Sequence, residues 1–261
     1  MGKDLLTPFT EQGFATLPFP NTLRLQLLSY IHEQIFALTS IKTEIIKDAA
    51  LSIPDAIWSK KMTRACRIFP SSLASLIHEW ADQDILPNIS RLQSATNVVY
   101  PEEIQRNTKL TMNDKAIYWR CVRPGKPDAG NPHRDATFWE LEFREGYDPK
   151  IPFQFDILKD CIKVWIPLAG CTPQTTLQII PYSHKTEVPT IVIQTEYGRR
   201  PSICPQWLIG QEQKFISPKE LSQGSAILFD LNLVHRGPQH TNETLRISAE
   251  LNFIVKPLEG K

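Results

Sequence analysis

The sequence predicts a mainly β fold with flanking helices, either a sandwich or a jelly roll. Segments with apolar residues at helical spacing fill roughly the first 110 positions. Runs rich in β-branched and aromatic residues, punctuated by Gly, Pro, Asn and Asp, fill the rest. These runs do not alternate regularly with helices, which disfavours a doubly wound parallel sheet. The 261 residues are read as a single domain, with a mostly helical part at 1–110 packed on a β core at 111–256.

In the helical part, "NTLRLQLLSYIHEQIFALTS" (21–40) opens on Asn21, a good N-cap, and repeats Leu23, Leu27, Ile31 and Ile35. "PSSLASLIHEWADQ" (70–83) sets Leu73, Leu76, Ile77 and Trp80 on one face. His32 and His78 lie within these segments with no partner at ligand spacing, so they are read as surface or packed residues. The β part contains "AIYWRCVR" (116–123), "CIKVWIPLAG" (161–170), "TLQIIP" (176–181), "TIVIQT" (190–195), "GSAILFDLNLVH" (224–235) and "LRISAELNFIV" (245–255). Two long excursions, 139–160 and 196–219, are expected to shape a binding site.

Composition excludes several classes. Apolar residues at 41% and charged residues at 22% are ordinary for a folded chain and argue against disorder. A formal charge of +1 gives no overall attraction to nucleic acid. Five scattered cysteines without a Cys-x-x-Cys pair argue against a disulfide framework and fit a reducing compartment. "MGKDLLTPFT" does not read as a secretory signal, and Leu6 stands where myristoylation needs Ser or Thr. No apolar run approaches the ~20 residues of a membrane span. The expected location is the cytoplasm, with neither nucleic acid nor membrane as partner; the oligomeric state is open.

The chemistry begins at "NPHRDATFWE" (131–140). His133 and Asp135 are two apart, and on a strand they would face one way. Two ligands hold a divalent metal poorly, so a third is needed. Of the remaining histidines, His184 and His240 fall in turn-like sequence, while His235 ends an apolar run. His133, Asp135 and His235 are therefore the candidate metal set. Two histidines and one carboxylate suit non-haem Fe(II) that must also bind an organic cosubstrate and O2. The competing reading is a solvated turn and an unrelated strand-end histidine. In "LRISAELNF", Arg246, Ser248, Glu250 and Asn252 alternate with Leu245, Ile247, Ala249 and Leu251. If that polar face lines a barrel interior, it sets a guanidinium and a hydroxyl beside the metal. A planar guanidinium can donate two parallel hydrogen bonds to a carboxylate. The pattern matches a dicarboxylate cosubstrate, its 2-oxo acid end on iron and its far end on Arg246 and Ser248.

On these residues the chain resembles the Fe(II)/2-oxoglutarate-dependent dioxygenases of the phytanoyl-CoA dioxygenase-like group. The resemblance covers about 110–255, with an echo at "FTEQGFATLPF" (9–19). It rests on His133-x-Asp135, "KVWIPLAGCTPQTTLQIIPYSHK" (163–185), "GSAILFDLNLVHRGPQ" (224–239) and Arg246-x-Ser248. It implies a double-stranded β-helix (jelly roll) with helices outside. It also implies His133, Asp135 and His235 as iron ligands, and Arg246 and Ser248 as the cosubstrate clamp. Arg123 falls where relatives place a basic cosubstrate contact; the alternative is a solvated strand-end arginine. Tyr118, two residues before the matching Arg120, falls at a substrate position; the alternative is a core tyrosine. The chain departs from the family where relatives carry Asn-Gly, here Thr175 and Thr176, and where Tyr182 replaces a glycine. His184 in "SHK" is read as structural. Asp135 favours hydroxylation over halogenation, which would need a small residue there.

The implied reaction consumes 2-oxoglutarate and O2, releases succinate and CO2, and oxidises an unactivated C–H bond. The expected substrate is a small polar metabolite, with Tyr118, Trp139 and Arg199 as candidate contacts and Glu140, Tyr197 and Arg200 near them. "YGRRP" can equally be a solvated charge pair. Two other classes stay open: a cupin-like metal enzyme that does not use 2-oxoglutarate, and a non-catalytic binding module on the same barrel.

Overall fold

The computed structural model describes residues 5–62, 66–85, 96–99, 117–138, 161–195, 198–239 and 244–257. Its centre is an antiparallel sheet in the order β1 (Phe14–Pro18), β8 (Ser225–Asp230), β4 (Cys161–Ala169), β10 (Arg246–Pro257) and β2 (Thr96–Val99). β3 (Tyr118–Val122) also pairs with β10. Facing it are β5 (Gln178–Ile179) with β9 (His235–Arg236), and β6 (Thr190–Thr195) with β7 (Gly198–Ile203) forms a separate hairpin. This is the jelly roll that the sequence predicts, predominantly sheet with helices outside.

Alternation along the strands divides the large sheet into two faces. Ile162, Val164, Ile166 and Leu168 of β4, Ala226 and Leu228 of β8, and Ile247, Ala249 and Leu251 of β10 turn to one side. There they pack on α2 (Asn21–Phe36), α3 (Ile46–Ser52) and α5 (Ser71–Asp84), and α1 (Leu6–Gln12) and α4 (Asp55–Lys61) add Phe9 and Trp58 to the same cluster. Leu27, Ile31 and Ile35 of α2 are wholly buried, as their spacing predicts. On the other side Trp165, Ile227 and Phe229 meet Leu177, Ile179 and Leu233.

Several local expectations change. Asn21 does not cap α2; Pro20 holds that position, and the Asn21 carboxamide accepts from Arg24 instead. In α5 the buried stripe is Ala74, Ile77, Trp80 and Ala81, while Leu76 is 36% exposed. Two small alanines let that stripe lie close to its neighbours, so the helix turns away from the larger Leu76. β1, drawn from the weak echo at 9–19, joins the large sheet through β8. Part of the segment expected to be an excursion after 196 is β7, paired with β6 from Thr190↔Ile203 to Thr195↔Gly198. The other excursion, 139–160, lies outside the described residues.

Gly170 closes β4 with φ +64°, and a Cβ there would lie 1.8 Å from the Leu245 carbonyl oxygen. Only glycine permits this close approach at the start of β10. Nearby, the β4–β10 register shifts between Ile247 and Ser248, opposite Ala169 and Pro167. Pro167 donates no backbone hydrogen bond, so an irregularity falls naturally beside it. The shift lies next to the residues that enter the cavity.

Candidate active site

A cavity open to solvent lies between the sheets. His133, Asp135, Lys163, His235, Arg246 and Glu250 are among the residues lining it. His133 and His235 face each other across an isolated antiparallel bridge. Each backbone N–H donates to the other's carbonyl at 3.0 Å. Residues directly opposite in an antiparallel pair point the same way, and the two rings lie 4.3 Å apart.

The expected i, i+2 strand geometry does not hold. Only His133 lies on a bridge, and Asp135 begins a helical turn at 135–138. The Ala136 N–H donates to the Leu231 carbonyl at 2.9 Å, which anchors that turn. The apolar run toward His235 is likewise not one strand. β8 ends at Asp230, whose side chain accepts from the Asn232 N–H at 2.7 Å, and a turn delivers His235 into the separate β9.

The donor atoms nevertheless converge. Asp135 Oδ1 lies 3.6 Å from His133 Nε2 and 3.8 Å from His235 Nε2. His133 Nδ1 donates to the Asn131 carbonyl at 2.7 Å, and His235 Nδ1 to the Leu233 carbonyl at 2.9 Å. A carbonyl only accepts, so each Nδ1 carries its proton and each Nε2 presents a lone pair. Burial and the neighbouring His133 push the His235 pKa down to about 4, which keeps it neutral near pH 7. Burial would raise the Asp135 carboxyl, but the Lys163 ammonium foremost outweighs it, and the group is held well below the usual carboxylate range. Two imidazole nitrogens and one carboxylate form a fitting donor set for a non-haem divalent metal. At metal–donor distances near 2.1 Å and right angles the donors would stand about 3 Å apart, so binding requires a small contraction.

Arg246 and Ser248 are buried and line the same cavity. Arg246 Nη1 donates to the Thr175 carbonyl at 2.8 Å and the Pro238 carbonyl at 2.9 Å. No carboxylate among the described residues forms an ion pair with it. Burial, with Arg120 nearby, lowers its pKa to about 10, so it stays charged at neutral pH. A Cβ on Gly237 would lie 2.5 Å from Arg246 Nη2, so the glycine leaves room for the guanidinium. The Thr175 side chain fixes this turn: its hydroxyl accepts from the Thr172 N–H at 2.8 Å and donates to the Gly170 carbonyl, while the backbone carbonyl of the same residue meets Arg246.

The expectations for Arg123 and Tyr118 are not met. Arg123 is 1% exposed and faces away from the cavity. It pairs with Asp128 at 2.8 Å and Asp55 at 2.9 Å, donates to the Ile53 carbonyl, and stacks on Trp58. It is neither a cosubstrate contact nor a solvated arginine. Strand parity explains this: Trp119, Cys121 and Arg123 turn toward the helices, while Arg120 turns into the cavity. Tyr118 is buried opposite Glu250 and does not line the cavity. Arg199 lies on β7, opposite Gln194. Trp139, Glu140, Tyr197 and His240 lie outside the described residues. His184 is structural, its Nε2 3.3 Å from the Thr10 carbonyl. Tyr182, in the place of the family glycine, takes φ +66°.

The sequence reading gave no role to Arg120, Lys163 or Glu250, which complete the polar wall. The available signal was a charged residue at an inward position of an otherwise apolar strand.

A profile of the phytanoyl-CoA dioxygenase (PhyH) family matches residues 57–248, well over half of the chain. The chain belongs to this family. As a PhyH-family protein it is an oxygenase of the non-haem iron, 2-oxoglutarate-dependent type. SnoK, described as a non-heme alpha ketoglutarate dependent carbocyclase from nogalamycin biosynthesis, is similar in structure with a TM-score of 0.50. At 12% identity the match covers 100% of this chain and 94% of SnoK, a likeness of fold. EctD from S. alaskensis, solved with 2-oxoglutarate and 5-hydroxyectoine, has a TM-score of 0.49 and 16% identity, over 95% of this chain and 73% of its own. No curated protein matches the chain. No helix among the described residues of this PhyH-family protein is long and apolar enough to cross a membrane.

Proposed function

We propose that the protein is an Fe(II)- and 2-oxoglutarate-dependent hydroxylase of a small-molecule metabolite. His133 Nε2, Asp135 Oδ1 and His235 Nε2 hold the iron. Arg246 and Ser248 bind the far carboxylate of 2-oxoglutarate. When bound, iron, 2-oxoglutarate and O2 supply the oxidising chemistry, with succinate and CO2 released and an unactivated C–H bond oxidised. What carries the reading is that the His-Asp-His set and a buried arginine, without a carboxylate partner among the described residues, share one cavity.

The chain's own residues set the conditions. The two Nδ1–carbonyl bonds keep both imidazoles in the tautomer that presents Nε2. Arg246, held by two carbonyls, is oriented before any ligand arrives, so less ordering is left to occur on binding. Trp165, Leu177 and Phe229 form apolar wall, which excludes water and strengthens the charge pairing inside. Trp139 and Arg199 remain the substrate contacts of this reading.

The test is to incubate the Fe(II)-loaded protein with 2-oxoglutarate and O2 and measure succinate. Slow uncoupled succinate formation is expected, speeded by the true substrate. A product heavier by one oxygen atom supports hydroxylation, whereas loss of two hydrogens replaces it by desaturation or ring closure. Absence of succinate from iron-loaded protein would refute the use of 2-oxoglutarate.

A further inference from the structure

The two oxygens of Asp135 have different surroundings. Oδ1 faces both imidazoles, at 3.6 and 3.8 Å. Oδ2 faces the ammonium of Lys163 at 3.5 Å and has no hydrogen-bond partner among the described residues. The Lys163 Nζ is in turn 3.3 Å from Glu250 Oε2, and Glu250 Oε1 is 3.7 Å from Arg67 Nη1. Arg67 is tied to the Trp119 carbonyl at 2.7 Å. A row of alternating charge therefore runs from the metal-type cluster back to the loop before α5. Lys163 is only 7% exposed, on a strand otherwise apolar, and burying an ammonium there is costly unless it is paired.

We propose that Lys163 is a positioning residue that holds Oδ2 of Asp135 and so presents Oδ1 alone to the metal, with Glu250 fixing Lys163. This rests on the metal assignment above. A carboxylate bound through one oxygen leaves a coordination position open, whereas one that swings to bind through both fills it. 2-Oxoglutarate needs two adjacent positions for its oxo-acid end. Lys163 thus protects cosubstrate binding without touching cosubstrate.

The test uses Co(II) as a spectroscopic stand-in for iron, in wild type, Lys163→Met and Lys163→Arg. Co(II) and then 2-oxoglutarate are titrated, following the cobalt visible bands. In Lys163→Met, Co(II) should still bind, but the bands should change before any 2-oxoglutarate is added. Cosubstrate affinity should fall roughly 10- to 100-fold, the range for loss of a residue that orients a metal ligand. Lys163→Arg should restore most of both. If Lys163→Met does not fold, the double variant Lys163→Met/Glu250→Met removes the pair together and leaves neither charge of it unmatched; the same two changes are expected. Wild-type bands and wild-type 2-oxoglutarate affinity in the soluble neutral variant would overturn the proposal. Failure of wild type itself to bind 2-oxoglutarate with metal present would instead overturn the cosubstrate assignment.

Discussion

Replacing Arg246 by leucine separates a 2-oxoglutarate site from a generic metal site. Arg246 is 4% exposed, its pKa is lowered to about 10, and its Nη1 is held by the carbonyls of Thr175 and Pro238. At neutral pH it is a buried cation awaiting an anion. Removing one partner of a buried charge pair costs on the order of 2 kcal/mol or more, roughly thirtyfold in affinity. The Kd for 2-oxoglutarate should therefore rise at least that much, while Fe(II) affinity changes little because Arg246 contacts none of the three ligands. The fold should survive. Two carbonyls lose a donor, at about 1–3 kcal/mol each, but an uncompensated buried charge disappears with it. Isothermal titration of 2-oxoglutarate into Fe(II)-loaded protein without oxygen measures the effect. Quenching of Trp165, which lines the cavity, reports metal binding separately. Equal 2-oxoglutarate affinities in wild type and Arg246→Leu would refute the clamp even with the metal cluster intact.

Three further outcomes are expected. Gly237→Ala should weaken 2-oxoglutarate binding by about tenfold and spare metal binding, since its Cβ meets a guanidinium pinned by two carbonyls; unchanged cosubstrate affinity would contradict the placement. Arg123→Met should cost about 3 kcal/mol of stability by stranding the half-buried Asp128 carboxylate, read as a lower urea midpoint, yet leave 2-oxoglutarate affinity near wild type in the folded fraction. Burial opposes ionisation of Glu250, but Lys163, Arg67 and Arg120 outweigh it and hold its pKa at about 2, down from 4.5. Its contribution is full above the unfolded value and fades as pH falls toward 2, so the stability gap between wild type and Glu250→Gln should shrink across that window from at most about 3 kcal/mol. A gap independent of pH would mean that the carboxyl is not held ionised by its neighbours.

The sequence disclosed most where a period of two operates. In β10, Arg246, Ser248 and Glu250 fall on the cavity side, and Ile247, Ala249 and Leu251 in the core, as alternation predicts. His133, Asp135 and His235 were identifiable as a set, but the way they meet was not. Asp135 sits on a helical turn, and His235 follows a turn within an apolar run that reads as continuous strand. Backbone closure between distant residues decides both, through the paired bonds of His133 with His235 and the single bond from the Ala136 N–H to the Leu231 carbonyl. Propensity within either segment carries no trace of that pairing. Arg123 illustrates a different limit: two arginines three apart must fall on opposite faces of a strand, and composition does not say which face is the cavity.

The same alternation explains why the site can be polar without destabilising the barrel. Each inward strand residue has outward neighbours, such as Val164 and Ile166 beside Trp165 or Ile247 and Ala249 beside Ser248, that pack under the helices. Stability therefore resides largely on the helix-facing side, and the cavity side is left to charge. There Arg120, Lys163 and Arg246 face Asp135 and Glu250, an excess of one positive charge before any ligand enters. A divalent metal raises that excess and a dicarboxylate lowers it by the same amount. Metal and cosubstrate together thus leave the wall's charge where it began, whereas metal alone concentrates like charge in a partly buried space. That imbalance favours binding of the dianion after the metal, the order in which the proposed site would fill.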